Sequence, residues 1–176
     1  MSVIQNIEYH PLKPFMPKEA RVLMLGSFPP PKERWCMDFF YPNPQNDMWR
    51  IMGQAFFGDK LHFCTPDKRF KHEDIVAFCE EKGIAIFDTA QAVRRLQGNA
   101  ADEHLEIVEQ TDIKALLAQI PLCHDICCAG GKPQRLWRKL CMLRHQRSAN
   151  ILRLLLLTDL SVSGECLPPP ALILCR

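Results

Sequence analysis

The stretch Arg21–Arg50, RVLMLGSFPPPKERWCMDFFYPNPQNDMWR, decides the fold that the rest of the chain must accommodate. It opens with the apolar run Val22–Leu25, bounded by Gly26, which is typical of a buried strand in a parallel sheet. A serine, a phenylalanine and three prolines then break the strand at its carboxyl end. Ligands of open α/β sheets bind at the carboxyl ends of the strands. We therefore expect a binding site in this loop.

The loop after the prolines is too aromatic for an ordinary solvated connection. Its four large rings are Trp35, Phe39, Phe40 and Tyr41. A proline-stiffened turn follows, and the pattern then predicts an amphipathic helix over about 46–57 that ends at Gly58. We expect Asn46 to lie at the mouth of the strand beside this aromatic wall. The arrangement suits a flat ligand with polar edges, such as a nucleobase.

The rest of the chain alternates predicted helices and strands. The predicted elements are a helix over 72–82 that stops at Gly83, a strand over 84–88, an extended segment over 105–108, a helix over 112–119 capped by Thr111, and a strand over 126–129. The lead-in from Tyr9 to Pro14 is predicted to lack regular structure. Strands that alternate with helices indicate an α/β fold with a mainly parallel sheet.

Length and composition favour one soluble domain over residues 1–176. Of these residues, 47% are hydrophobic and 24% are charged, which is ordinary for a globular protein with a real core. The nine cysteines are odd in number, lack a framework spacing and follow no cationic-then-apolar leader. We therefore expect a reducing, cytoplasmic location. No apolar run approaches the roughly 20 residues that cross a bilayer, so we expect no membrane partner.

Four segments together resemble the uracil-DNA glycosylase superfamily, and within it the mismatch-type and hypoxanthine (deoxyinosine) glycosylase branch. They are HPLKPFMPKEARVLMLGSFPP from residue 10, YPNPQNDMW from residue 41, GIAIFD from residue 83, and AGGK from residue 129. The likeness covers about residues 9–132 and keeps the order and spacing of the motifs. It implies a three-layer α/β/α sandwich with a small, mainly parallel central sheet.

The resemblance also implies an activity, which is hydrolysis of the N-glycosidic bond of a flipped, deaminated base (uracil or hypoxanthine). The implied partner is DNA that contains a damaged base, and the chain is expected to act as a monomer without a metal or organic cofactor. A stacked base cannot be attacked, so the enzyme must offer a pocket that replaces stacking and edge hydrogen bonds.

Particular residues match the motifs that carry this activity. Asn46 matches the motif asparagine and is the predicted catalytic residue, where it would orient water or the base, since an amide is not a strong general base. The predicted base pocket consists of Gly26, Ser27, Phe28, Pro29, Phe40, Tyr41 and Asn43. Gly131 and Lys132 are predicted to touch a DNA phosphate.

Two departures from the motifs leave the preferred base open. Ser27-Phe28 stands where mismatch-type members have an asparagine, and Asp47-Met48 replaces the usual aromatic residue before Trp49. Two other function classes therefore stay open: a non-catalytic nucleic-acid-binding relative and a hydrolase of free nucleosides or other small molecules.

Several of these residues also have plain structural interpretations. Asn46 is a favoured helix N-cap, and Ser27 is a common turn residue. Asp88 is interpreted first as a loop brace, and Asn99 and Asp102 as loop formers. The cysteines near His124, namely Cys123, Cys127 and Cys128, are interpreted as buried thiols rather than metal ligands, because two of them alternate along a buried strand.

The tail, residues 133–176, differs from the body, residues 1–132. The body carries 15 basic and 18 acidic side chains, and the tail carries 7 and 2. The resemblance implies a helix and then a serine-rich loop that wedges into the duplex, and the tail shows neither. Loss of one adenine at the Lys132 codon would turn both segments into the present tail. We therefore hypothesise an out-of-frame tail; an unbroken frame in the gene at that codon would end the hypothesis.

Overall fold

The computed structural model describes residues 6–96 and 105–129 and, for the backbone, residues 172–175. Its strands are β1 Ile7–Tyr9, β2 Val22–Gly26, β3 Ile84–Asp88, β4 Ala90–Arg95, β5 Leu105–Gln110, β6 Asp125–Ala129 and β7 Leu172–Cys175. Its α-helices are α1 Met48–Phe57, α2 His72–Lys82 and α3 Ile113–Gln119, and a short 3-10 helix covers Lys32–Arg34. No helix in these ranges is long and apolar enough to cross a bilayer.

A four-stranded sheet in the order β3-β2-β6-β7 forms the centre of the fold. β2 pairs in parallel with β3 and with β6, whereas β7 pairs antiparallel with β6. Every residue of β2 and β3 is buried, so both faces of the sheet are covered there. The predicted α/β class and the parallel pairing of these three strands are confirmed, and β7 adds an antiparallel edge strand from the tail.

A second sheet, with the order β1-β4-β5, was not predicted from the sequence. Both of its pairings are antiparallel, and the β4–β5 pairing contains register shifts. β1 has only three residues, all of them exposed, which is too short a segment for a hydrophobic pattern to reveal a strand. The expectation that Tyr9 lies in an irregular lead-in was wrong, because the backbone of β4 supplies pairing partners for β1.

The helix ends agree closely with the predictions. Gly58 and Gly83 follow α1 and α2 in the left-handed conformation, with φ of 70° and 65°. The predicted cap of α3 was wrong, since the side chain of Asp112, not Thr111, accepts a hydrogen bond from Ala115 N. Thr111 instead donates from Oγ1 to the carbonyl of Asp88 at 2.7 Å, which ties the start of α3 to the end of β3.

Candidate active site

The loop after β2 is fixed to the neighbouring strand at the carboxyl edge of the sheet. Gly26 lies in register with Asp88 at the ends of the parallel strands β2 and β3. The carbonyl of Gly26 accepts hydrogen bonds from Thr89 N at 2.9 Å and from Thr89 Oγ1 at 3.1 Å. The carbonyl of Ser27 accepts from Ala90 N at 3.2 Å. The predicted pocket loop therefore begins with a fixed backbone.

Gly26 is required by its neighbours rather than by its backbone angles. A Cβ at this position would lie 2.2 Å from Asp88 Oδ1 and 3.4 Å from the Tyr41 hydroxyl oxygen. The space that a side chain would occupy is thus taken by a carboxylate oxygen, with a phenol oxygen beside it. Three segments that are distant in sequence meet at this point.

His10 and Asp88 form a buried pair at the same edge. His10 Nε2 lies 3.0 Å from Asp88 Oδ2, and the two side chains are 0% and 9% exposed. His10 Nδ1 lies 2.8 Å from Leu12 O and 3.2 Å from Leu12 N, so the backbone holds the other side of the ring. The imidazole therefore fixes the orientation of the carboxylate of Asp88.

Phe28 and Pro29 are held by a charged group from β4. The ring of Phe28 is half-buried and packs edge-on against His10, with 5.4 Å between ring centroids. The guanidinium of Arg95 lies 5.7 Å from the centroid of Phe28 and donates from Nη2 to the carbonyl of Pro29 at 2.8 Å. Glu8 accepts from Arg95 Nε through both carboxylate oxygens, at 3.0 Å and 2.9 Å. The second sheet thereby supports the pocket loop.

The aromatic wall divides into core rings and one half-buried ring. Phe40 is 4% exposed, packs near His10 and Phe87, and accepts a hydrogen bond from Trp49 Nε1 at its carbonyl. Tyr41 is half-buried and has a positive φ of 51°, which is unusual for a residue with a side chain. Residues with strained backbone angles cluster at active sites and ligand-binding sites.

Asn46 is exposed at the start of α1. Its Oδ1 accepts a hydrogen bond from Met48 N at 2.8 Å, which holds the turn that leads into α1. The N-cap residue of α1 is Asp47, so the interpretation of Asn46 as the N-cap was wrong by one residue. Because a backbone N–H can only donate, the oxygen of the carboxamide must face Met48 and the NH₂ group faces away. Its backbone N–H donates to Asn43 O at 2.9 Å, and Asn43 Oδ1 accepts from Gln45 N at 2.9 Å.

A surface cleft of about 470 Å³ adjoins the turn that precedes Asn46. Its lining residues are Glu33, Arg34, Trp35, Cys36, Asn43, Pro44 and Gln45. The indole of Trp35 is fixed by donation from Nε1 to Pro30 O at 2.7 Å. The volume is within the range of about 300–1,000 Å³ that small-ligand sites occupy.

Four residues that the sequence analysis singled out have no described position. Gly131, Lys132, Asn99 and Asp102 all fall outside the described residues.

The cysteines of β6 are buried, as predicted. Burial raises the pKa of the Cys127 thiol to about 11, and Cys128 is 0% exposed. Burial also raises the pKa of Cys123, whose Sγ donates to the carbonyl of Asp125. Across residues 6–96 and 105–129, no group of three or more His, Cys, Asp or Glu side chains is placed to hold a metal ion.

Reasoning from the sequence missed His10 and Arg95. His10 begins the first of the four quoted segments, and that position was its only signal. Arg95 comes from a strand without an apolar pattern, so its contact with the pocket loop depends on the pairing of β4. Only the folded chain brings both residues to the end of β2.

No protein-family model matches this chain. Over 115 residues it is 28% identical to the hypoxanthine DNA glycosylase of Methanosarcina acetivorans, covering 65% of this chain and 66% of that protein, just under two thirds. It also superposes on the solution NMR structure of a candidate uracil DNA glycosylase from the same organism, with a TM-score of 0.55. That superposition covers 78% of each chain at 24% identity and shows a shared fold.

Proposed function

We propose that this chain, a relative of the uracil-DNA glycosylase superfamily, is a DNA glycosylase that hydrolyses the N-glycosidic bond of a flipped, deaminated base. The substrate is DNA with uracil or hypoxanthine in place of a normal base. The reaction belongs to base excision repair, and the enzyme acts as a monomer without a cofactor.

One observation carries this proposal, namely the fixed Gly26–Pro29 loop at the carboxyl ends of β2 and β3. Its first two carbonyls are bound by Thr89 and Ala90, so the loop backbone is held before any ligand arrives. Preorganised backbone N–H groups stabilise charge that develops on a leaving group, and they need no reorganisation during the reaction. The N–H groups of Ser27 and Phe28 are proposed to face the base oxygen.

The side chains around this loop have complementary roles. Phe28 and Tyr41 are proposed to stack on the extruded base, because both rings are half-buried and so keep part of their surface accessible. Phe40 supports them from the core. Pro29, which is buried and bound through its carbonyl by Arg95, gives the loop stiffness.

Asn46 is proposed to act through its NH₂ group. The oxygen of the carboxamide is occupied by Met48 N, so the group that remains for a ligand is the donor. We propose that it donates to a carbonyl oxygen of the base or to the attacking water. Asn43 shapes the turn that presents Asn46, and Gly131 and Lys132 are proposed to bind a phosphate of the same strand.

The proposal is tested with duplexes that carry a single uracil, hypoxanthine or G:T mismatch and a label at one 5′ end. Abasic sites are revealed by alkali cleavage after incubation with the wild type. We expect cleavage of at least one deaminated duplex. Binding without cleavage would favour a non-catalytic nucleic-acid-binding relative, and release from free nucleosides but not from DNA would favour a nucleoside hydrolase.

Two variants separate the two roles of Asn46. Asn46→Ala removes the hydrogen bond to Met48 N and the donor, so it should lower stability by about 1 kcal/mol and cleavage by about 100-fold. Asn46→Asp keeps an oxygen for Met48 N but removes the NH₂ donor, so it should keep stability and still lose cleavage. If Asn46→Asp cleaves at the wild-type rate, Asn46 only holds the turn before α1.

A further inference from the structure

Asp88 presents a nearly buried carboxylate with one oxygen unpaired. Oδ2 is bound by His10, whereas Oδ1 makes no hydrogen bond within residues 6–96 and 105–129 and is not among the fully buried atoms without a partner there. The side chain is 9% exposed. A carboxylate oxygen that is not used by the protein can accept a hydrogen bond from a water or a ligand.

This oxygen lies beside the first residue of the loop that is predicted to hold the base. Oδ1 occupies the space beside Gly26 where any other residue would place its Cβ. The Tyr41 hydroxyl borders the same space, and Phe28 packs on the His10 ring that holds Oδ2. The carboxylate thus lies at the first residue of the loop that the proposed function assigns to the base.

The reaction needs a group that none of the predicted site residues supplies. As the glycosidic bond breaks, positive charge grows on the sugar, and the attacking water must lose a proton. The carboxamide of Asn46 and the hydroxyl of Ser27 are too weakly basic to accept that proton, and the ring of Phe28 has no basic atom. A carboxylate can both accept the proton and stabilise the positive sugar.

We infer that Asp88 is a further catalytic residue, which binds the attacking water through Oδ1; this rests on the proposed function. The bond between C1′ and the base nitrogen breaks, and its electron pair leaves with the base. The water oxygen bonds to C1′, its proton passes to Asp88 and then to solvent, and the base takes up a proton from solvent.

His10 is a positioning residue in this scheme. Its ring is 0% exposed, so it does not reach the substrate, and it acts by holding Oδ2. With Oδ2 held, Oδ1 stays beside Gly26.

The test measures single-turnover cleavage of whichever lesion duplex the wild type cleaves. Asp88→Asn keeps the shape and the oxygen that His10 binds but removes the charge, and we expect its rate to fall by about 100-fold or more. Its affinity for a duplex with a stable abasic-site analogue should stay within about twofold. Added formate should restore part of the rate, which a purely structural loss would not allow.

Asp125→Asn is the matched control. Asp125 is also a nearly buried aspartate bound by a histidine, His124 at 3.0 Å, but it lies at the opposite edge of the same sheet. We expect its cleavage rate to stay within about threefold of the wild type. Gly26→Ala is a second probe of the same oxygen, since its methyl group would meet Oδ1, and it should also slow cleavage.

The outcomes separate this inference from the proposed function. If the wild type cleaves no lesion duplex, the proposed function fails and the role of Asp88 fails with it. If the wild type cleaves and either folded variant, Asp88→Asn or Gly26→Ala, cleaves equally fast, only the role of Asp88 is overturned. An equal loss in Asp88→Asn and Asp125→Asn also overturns it, because that result would indicate a general structural effect.

Discussion

Two histidine–aspartate pairs lie at opposite edges of the parallel part of the central sheet. His10 and Asp88 meet at the carboxyl edge, and His124 and Asp125 meet at the amino edge; both N···O distances are 3.0 Å. The histidine is 0% exposed in the first pair and 48% exposed in the second. Equal distances therefore hide different environments, and the burial of the histidine decides what each pair can do.

The residue that lies opposite each aspartate on β2 also differs between the two edges. At the amino edge, Asp125 lies opposite Val22, a residue with a branched side chain. At the carboxyl edge, Asp88 lies opposite Gly26, where its own Oδ1 takes the place of the missing Cβ. At the amino edge the position opposite the aspartate carries a side chain. At the carboxyl edge that position is a glycine, and a carboxylate oxygen fills the space.

The two edges should differ most in the free energy of unfolding that is lost when each histidine is replaced by alanine. His10→Ala leaves Asp88 buried without a partner, so it should lower the free energy of unfolding by about 3–5 kcal/mol. His124→Ala removes a half-exposed partner and should cost about 0–1 kcal/mol. Urea denaturation of both variants measures the two values. Equal losses would mean that the carboxyl-edge pair is no more buried in solution than the other.

A smaller difference in stability is expected between alanine replacements of Gly26 and Gly58. Gly26→Ala brings a Cβ to 2.2 Å from Asp88 Oδ1. It should lower the free energy of unfolding by about 2–3 kcal/mol, because either the side chain of Asp88 or the backbone of β2 must shift. Gly58→Ala meets no atom within 4 Å and has only its φ of 70° to oppose it, so it should cost about 1 kcal/mol. Denaturation curves compare them. A harmless Gly26→Ala would show that Asp88 can leave its place freely.

The smallest expected effect concerns Cys127 in β6, between the two edges. Burial raises its pKa to about 11, so at pH 8 only about one thiol in a thousand is ionised. Alkylation by iodoacetamide should therefore be slow at pH 8 and accelerate about tenfold per pH unit up to about pH 10. Peptide mass spectrometry reports the rate, with the half-buried Cys36 as reference. Labelling of both cysteines at one rate would indicate that β6 opens readily.

The sequence predicted the parallel strands well because their signals are local. An apolar run that ends in glycine or aspartate gave β2, β3 and most of β6, and glycine stops gave the ends of α1 and α2. The match to a hypoxanthine DNA glycosylase and the shared fold confirm the resemblance that the quoted motifs indicated. Local order and spacing were sufficient for these conclusions.

The second sheet and the supports of the pocket loop could not be predicted in this way. β1 is only three residues long and β4 ends in two arginines, so neither gives a clear strand pattern, and their pairing joins residues more than 80 positions apart. The contacts from His10 to Asp88 and from Arg95 to Pro29 depend on that pairing. The out-of-frame origin of residues 133–176 stays a prediction, and their one described segment, β7, extends the central sheet as an antiparallel edge.

The sequence by itself determined the α/β class, the parallel strands and the ends of α1 and α2, because each depends on neighbouring residues. Only the tertiary structure decided that Asp88 faces Gly26, that His10 is buried behind it, and that the oxygen of Asn46 is occupied by Met48 N. Burial and side-chain orientation are set by residues far away in the chain, and a linear pattern does not contain them.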